Sequence, residues 1–331
     1  MPSSRVPPSG RRLVAVAALF LALLGVVTAA RADGFDDWLQ GLKRDAAAQG
    51  VSQPTLTAAL NGLRPMPDVL DKDRNQPEFT MTFAQYLPKV VSEKRVADGR
   101  KLLQQYEPLL KRVAAAYGVQ PRFIVALWAV ESDYGRVTGD YPVIGSLATL
   151  AYGSSRPKMF RTEVIDALRI VDHGDVTVSG MTGSWAGAMG QCQFMPSSFL
   201  AYAVDFDGDG RRNIWTDEAD VFASIANYLT HLHWRPDQTW GRAVRLPPGI
   251  NPGLIGLKIE KPLREWERLG IRNADGSALP RAELAASLVA PDGPSGPAFL
   301  VYGNFKAVMK WNRSTFFATS VGLLADRLVT G

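Results

Sequence analysis

Phe123 to Gly135, FIVALWAVESDYG, sets a carboxylate into a segment with almost no other polar side chain. At helical spacing Ile124, Leu127, Trp128 and Glu131 fall at i, i+3, i+4 and i+7, one stripe of a helix. Phe123, Val125, Ala126, Ala129 and Val130 occupy the other positions, so the helix is apolar nearly all round and belongs in a core. Glu131 then stands either at the wet end of that helix or inside the fold. Burying an ionised carboxylate without a partner is unfavourable, and the usual relief is a raised pKa. A carboxylic acid still protonated near neutral pH is what a general acid needs. The competing reading is that Glu131 ends the helix beside Ser132 and Asp133 and points to solvent, and this stretch alone does not choose between the two.

Outward from this helix, which Pro121 opens and Gly135 ends, most of the chain has helical periodicity. Asp98 to Tyr117 reads as one long amphipathic helix, with Leu102, Leu103, Tyr106, Leu109, Leu110, Val113 and Ala114 on one side and Gly118 as its C-cap. Further upstream, Phe35, Trp38, Leu39 and Leu42 share a face of a helical stretch reaching to about Leu63, and Ser52-Gln53-Pro54 opens a second short helix within it. Arg64 to Pro77 holds three prolines among charges and reads as an exposed connector. Phe79 to Val91 is apolar with Phe79, Phe83 and Tyr86, and Pro88 predicts a kink or an end. Downstream, Gly145 to Tyr152, Phe160 to Ile170 and Val221 to Leu232 are helical. Pro247 to Pro297 is rich in Gly and Pro, and Ala298 to Tyr302 reads as a strand, which places a small mixed or β region there. Phe305 to Leu328 returns to helical spacing.

The 331 residues are 46% hydrophobic and 21% charged, an ordinary globular balance with room for one large or two modest domains. Residues 1–32 are expected to be a secretory signal peptide: Arg11 and Arg12 precede an apolar run from Leu13 to Val27, followed by Thr28-Ala29-Ala30-Arg31-Ala32 with cleavage after Ala32 or Ala30. That run is about 15 residues, short of the roughly 20 that a membrane span needs. The leader carries four of the 37 basic residues and no acidic ones, so 33 basic face 32 acidic residues in the remainder, a net charge of +1. The high pI therefore belongs mostly to the leader, and no nucleic-acid footprint is expected. The single cysteine, Cys192, permits no internal disulfide, and none lies near the cleavage site to carry a lipid, so a soluble periplasmic protein is expected.

Two further stretches carry chemistry. Gly183 to Ser198, GSWAGAMGQCQFMPSS, is too rich in small residues to fill a core; it lets the backbone approach either a neighbouring helix or a ligand closely. Asp205, Asp207 and Asp209 alternate ahead of Gly210, matching the first half of an EF-hand loop, in which hard oxygen ligands converge on one cation. Arg211 would add its carbonyl. Thr216 stands where the loop's bidentate Glu is expected, leaving Asp217, Glu218 or Asp220 to complete the shell. An Asx-rich turn without metal is the plainer alternative. The chain has no H-E-x-x-H, no G-x-S-x-G and no phosphate-binding glycine loop. Aromatic rings and small polar groups suit a sugar polymer. Yet glycosidases normally place two carboxylates across the bond, and neither Asp133 nor Asp140 shares the Glu131 stripe.

Ala129-Val130-Glu131-Ser132-Asp133-Tyr134-Gly135, Gly183-Ser184-Trp185-Ala186-Gly187-Ala188-Met189-Gly190, Gln193-Phe194-Met195-Pro196-Ser197-Ser198 and Asn227-Tyr228-Leu229 together resemble the lytic murein transglycosylase B family, from about Phe35 to the end and in family order. The resemblance implies a mainly α, α+β fold. A helical domain (33–120) and a small β-containing region (236–302) flank a lysozyme-like core (121–235) that includes the EF-hand-like loop 205–220, and a C-terminal helix (303–331) returns to the core. It implies that Glu131 is the only catalytic acid/base, cleaving the β-1,4 bond between N-acetylmuramic acid and N-acetylglucosamine with help from the muramyl N-acetyl group, and leaving a 1,6-anhydro product. By the same resemblance Tyr86, Ser184, Met189, Gln193, Tyr228 and Asn312 form the substrate groove, and Trp311 stands where the family pattern can have Tyr. Asp205, Asp207, Asp209 and Arg211 would hold a structural Ca2+ with Asp220 as the late acidic ligand, and the chemistry itself needs no cofactor. Glycan strands of peptidoglycan are the implied partner, with cell-wall synthesis proteins as possible further ones and a monomer as the expected state. A hydrolytic muramidase and a non-catalytic wall-binding protein are the rival readings.

Overall fold

A computed structural model describes residues 34–75 and 81–330; the expected signal peptide, Pro77 and Phe79 lie outside these. Helix α1 (34–48) and α2 (Gln53–Leu60) open the chain, the latter capped by Ser52, whose side chain accepts from the Thr55 amide. The connector expected over Arg64 to Pro77 contains a helix instead, α3 (Pro67–Arg74). Pro67 occupies its first turn, where a missing N–H is harmless, and Val69 is buried toward the later helix Val143–Gly153. α4 (Phe83–Val90) carries Tyr86 and keeps Pro88 inside it.

The long helix expected over Asp98 to Tyr117 is two, α5 (Glu93–Gln105) and α6 (Glu107–Tyr117), with Tyr106 as the joint. Pro108 is the cause, since it cannot donate to the Gln104 carbonyl and its ring would collide there. Gly118, at φ 68°, closes α6 as expected.

α7 (Pro121–Ser132) is the central element, with every residue from Phe123 to Ala129 buried. Around it pack α5, α6, α11 (Glu218–His231) and, most extensively, α14 (Thr315–Val329). A second layer pairs α8 (Val143–Gly153), buried along nearly its whole length, with α9 (Pro157–His173) and α10 (Pro196–Tyr202). β1 (Tyr141–Pro142) pairs antiparallel with β2 (Thr182–Gly183) at the edge of this layer.

Between α11 and α13 (Gly303–Trp311) the chain forms an antiparallel five-stranded sheet in the order β4-β6-β7-β3-β5. Its strands are β3 (Gly241–Arg245), β4 (Lys261–Pro262), β5 (Arg272–Asn273), β6 (Ala285–Val289) and β7 (Ala298–Val301). Alternate residues of β6 and β7 face opposite ways, as strand geometry requires. Val289, Phe299 and Val301 join the main core, while Leu288, Ala298 and Leu300 close a second core with Trp266 of α12 (Leu263–Arg268). The expected C-terminal helix is broken at Asn312–Ser314 into α13 and α14. Among the described residues no single helix is long and apolar enough to cross a membrane; only the pair α6 and α7, bent by 107°, passes by length and composition, and α7 is buried in protein.

Candidate active site

Glu131 is the penultimate residue of α7, and the chain turns back sharply just beyond it. Asp133, Tyr134 and Gly135 have φ of 51°, 62° and 80°, three left-handed residues in a row. Such a run is unfavourable for Tyr in particular and persists because contacts over-determine it. Tyr134 donates its hydroxyl to the Arg95 carbonyl at 2.6 Å and sets its ring edge-on to Trp128, 5.4 Å between centroids. Ser132 Oγ accepts from the Gly135 amide and donates to the Trp128 carbonyl. Gly135 is required on two counts: its φ is left-handed, and a Cβ there would overlap Gln191 Oε1. Gln191 is itself buried, accepting from Trp128 Nε1 at 2.6 Å and donating to the Trp215 carbonyl at 3.1 Å.

The turn leaves Glu131 partly accessible on one side, while its carboxyl sits deep among protein atoms. That burial pushes its pKa up to about 8, against the opposing effect of a 2.7 Å hydrogen bond donated by Trp311 Nε1 to Oε1. Both the buried and the terminal readings of the helix end therefore hold in part. No second carboxylate acts on Glu131 among the described residues. Asp133 is held by Arg136 at 2.9 Å and Arg95 at 3.1 Å, which keep its carboxyl below the usual range. Asp140 is exposed at the start of β1.

The small-residue stretch folds onto itself. Gly183 bridges Met189, and Met189 bridges Phe194. The Ser184 amide donates to the Ala188 carbonyl at 2.8 Å, and the Ala188 amide returns to Ser184 Oγ at 3.0 Å. A Cβ on Gly183 would overlap the Ala188 carbonyl oxygen, so the close approach is backbone on backbone. Phe194 emerges against Trp311 at 5.3 Å, and Trp311 lies on Tyr228 at 4.7 Å and 26°. Tyr228 is stacked in turn on Tyr202 at 4.2 Å and 9°. Glu131 is thereby flanked by an aromatic wall drawn from the 183–194 loop, α10, α11 and α13.

A family model described as Transglycosylase SLT domain matches residues 34–326. Over 249 residues the chain is 34% identical to the membrane-bound lytic murein transglycosylase B of Escherichia coli (strain K12), covering 73% of this chain and 66% of that relative's length. The chain belongs to the lytic transglycosylase family. SltB3 from Pseudomonas aeruginosa, solved in complex with NAG-anhNAM-pentapeptide and with NAG-NAM-pentapeptide, superposes with a TM-score of 0.87 at 45% identity, over 90% of this chain and 80% of SltB3. Escherichia coli Slt35 in complex with calcium gives a TM-score of 0.75 at 29% identity, over 88% of this chain and 92% of Slt35. The mainly helical, lysozyme-like architecture is thus that of the lytic transglycosylases.

The positions carried over from the lytic transglycosylases are placed as follows. Tyr86 on α4 is near enough to Glu131 for that carboxyl to act on its hydroxyl, whose pKa is raised first by burial and then by Glu131. Gln193, left-handed at φ 50°, donates to the Thr138 and Gly190 carbonyls at 3.0 and 2.8 Å, and so ties the loop to the chain leaving α7. Asn312 follows Trp311 at an exposed turn and accepts from the Ser314 amide. Met189 is 0% exposed and presents no surface to a groove; its bridges to Gly183 and Phe194 turn it inward. No hydrogen bond joins Ser184 to Glu131 among the described residues. Trp311, noted from sequence only for standing at a tyrosine position, hydrogen-bonds Glu131 directly, and Gln191 was not singled out. Their signals were a tryptophan at a tyrosine position and a glutamine amid small residues.

The acidic loop lies apart, between α10 and α11. Ligand atoms of Asp205, Asp207 and Asp209 converge to within 4.8 Å of one another, and Gly210, sixth in the loop, takes φ 90°. This donor set fits a hard divalent cation. Asp220 does not join it. Buried at 1% exposure, Asp220 spends both oxygens on the amides of Phe206 and Asn213, at 2.7 and 2.6 Å, clamping the two ends of the loop from inside. Burial raises its pKa to about 6.

Proposed function

We propose that this chain is an exported peptidoglycan lytic transglycosylase acting through Glu131 alone. The observation that carries the proposal is a buried carboxyl, its pKa raised to about 8, on which no second carboxylate acts among the described residues. The first transfer gives the Glu131 proton to the β-1,4 glycosidic oxygen between N-acetylmuramic acid and N-acetylglucosamine. With no second carboxylate acting on Glu131 among the described residues, the muramyl N-acetyl oxygen serves as nucleophile and attacks the anomeric carbon as the glycosidic bond breaks. Glu131, now ionised, takes the proton of the muramyl 6-hydroxyl, whose oxygen displaces the N-acetyl oxygen from the anomeric carbon and closes the 1,6-anhydro ring. Tyr86, Ser184, Gln193, Tyr228 and Asn312 contact the sugars, and Met189 supports the groove floor from beneath. The chemistry takes no cofactor.

The Asp205, Asp207 and Asp209 carboxylates, with the Arg211 carbonyl, would hold Ca2+, which ties the loop together and leaves the proton transfers to Glu131. The complex of Slt35 with calcium supports this reading. The muropeptide complexes of SltB3 support glycan strands as substrate, and the basic, apolar N-terminal segment supports export to the periplasm. A monomer that works beside cell-wall synthesis proteins is the corresponding assembly. Digestion of purified sacculi followed by mass analysis tests the function: 1,6-anhydromuramyl ends are expected, and reducing muramyl ends would overturn it in favour of a muramidase. Binding to sacculi with no released fragments would leave a wall-binding protein.

A further inference from the structure

The group that holds Glu131 is chemically one-sided. Trp311 Nε1 lies 2.7 Å from Oε1, and an indole N–H donates but never accepts. In a protonated carboxyl the carbonyl oxygen is the good acceptor and the hydroxyl oxygen a poor one. A donor fixed on Oε1 is therefore matched by one placement of the acid proton, on Oε2. We propose that Trp311 is a positioning residue that assigns the proton of Glu131 to Oε2 and keeps that same oxygen in use for both proton transfers. The inference rests on the reading of Glu131 as the acid.

The indole is not free to turn away. Its ring is held between Tyr228, at 4.7 Å and 26°, and Phe194, at 5.3 Å and 59°. Trp311 is also the last residue of α13, and the chain leaves it through Asn312 in extended conformation. A tyrosine hydroxyl at this point could donate to either oxygen or accept from the acid itself, leaving two placements of the proton. The indole leaves one. In the first transfer the Oε2–H bond breaks as the glycosidic oxygen gains the proton; its bond to the anomeric carbon opens, the N-acetyl oxygen bonds to that carbon from the opposite face, and the N-acetylglucosamine leaves as the free alcohol. In the second, the 6-hydroxyl gives its proton to Oε2 as its oxygen bonds to the anomeric carbon, the bond from that carbon to the N-acetyl oxygen breaks to restore the acetamido group, and Glu131 ends protonated as it began. Through both, the N–H···Oε1 bond is strongest while the carboxylate carries charge, so the indole favours the interval between the transfers.

Indole 15N NMR on the whole enzyme reads this directly. One indole resonance, absent from Trp311→Phe, is expected to titrate with a midpoint near pH 8 in the unmodified protein and to stay fixed in Glu131→Gln. A Trp311 resonance that does not titrate, or that titrates equally in Glu131→Gln, overturns the inference. Trp311→Phe keeps the ring stack and removes the donor. Its kcat is expected to fall about tenfold or more, as for one hydrogen bond to a charged group, with KM little changed. The alkaline limb of its pH profile should move upward, because the carboxylate has lost its donor. Trp311→Tyr should recover part of kcat. An unmoved limb in Trp311→Phe, with Glu131→Gln inactive, overturns only the role of Trp311; an active Glu131→Gln enzyme overturns the acid assignment itself.

Discussion

The replacement that removes catalysis should make this protein more stable, and by an amount that depends on pH. Burial moves the Glu131 carboxyl from its ordinary 4.5 to about 8. Between those values the unfolded chain releases the proton while the folded chain keeps it, so the folded state binds more protons and stability falls as pH rises. The loss begins at the unfolded pKa, grows by about 1.4 kcal/mol per pH unit, and stops at the folded pKa. Taken whole, the window amounts to about 4–5 kcal/mol. Because one side of Glu131 opens to solvent, about half of that is expected to survive, ~2–3 kcal/mol. Glu131→Gln keeps the shape and the Trp311 hydrogen bond but has no proton to lose. Urea unfolding of both proteins from pH 4.5 to 9 should give matching stabilities at the acid end, a gap widening to ~2–3 kcal/mol near pH 8, and a constant gap beyond. Curves that run parallel across the range, or diverge toward acid, would refute the buried-acid reasoning.

The acidic loop makes a second prediction: chelation should lower the melting temperature, with ~2.7 kcal/mol lost where calcium had stood at a hundred times its Kd, and Asp207→Asn with Asp209→Asn should abolish that response. Gln191→Leu strands the Trp128 indole N–H in the core and should cost about 1–3 kcal/mol in denaturant unfolding, with a loss of activity as the 183–194 loop shifts. Gly135→Ala meets the same Gln191 from the other side; a melting temperature equal to that of the unmodified enzyme would contradict the overlap described for its Cβ. Asp292 accepts from the amides of Phe83 and Ala84 at 2.6 and 2.9 Å, so Asp292→Ala should cost about 1 kcal/mol and raise hydrogen exchange selectively across α4, the helix that carries Tyr86.

What could be read before folding was whatever the chain states locally. Phe123 to Ala129 leave a helix nowhere to go but the core, and Glu131 stands out against them. Gly118 and Ser52 mark helix ends through the backbone geometry they favour. Asp205, Asp207, Asp209 and Gly210 announce a turn lined with oxygen. The misreadings have local causes too. The apolar stripe of Asp98 to Tyr117 continues across the joint at Tyr106, so periodicity hid the break that Pro108 makes. Pro67, read as loop chemistry, is a helix opener. Met189 sits in a stretch that looked like a ligand surface, yet the strand-like bridges on either side of it decide its direction. Asp220 carries the right charge at nearly the right spacing, but two backbone amides claim it. The meeting of Glu131 with Trp311 was beyond local reading, since 180 residues and the packing of α13 and α14 on α7 separate the two in sequence.

That separation also orders events in time. The helix bearing Glu131 packs most extensively on α14, the last helix of the chain, and the indole that grips its carboxyl arrives just before it. Arg100 of α5 likewise donates to the Arg327 carbonyl, and α4 waits for Asp292. Contacts this distant form late, after the loops between them have closed. Without residues 303–329, the stretch of α13 and α14, the acid of α7 has neither its indole donor nor the helix packed along it. The raised pKa is thus a product of tertiary closure: α7 supplies the carboxyl, but its burial and its indole donor come from segments far away in the chain.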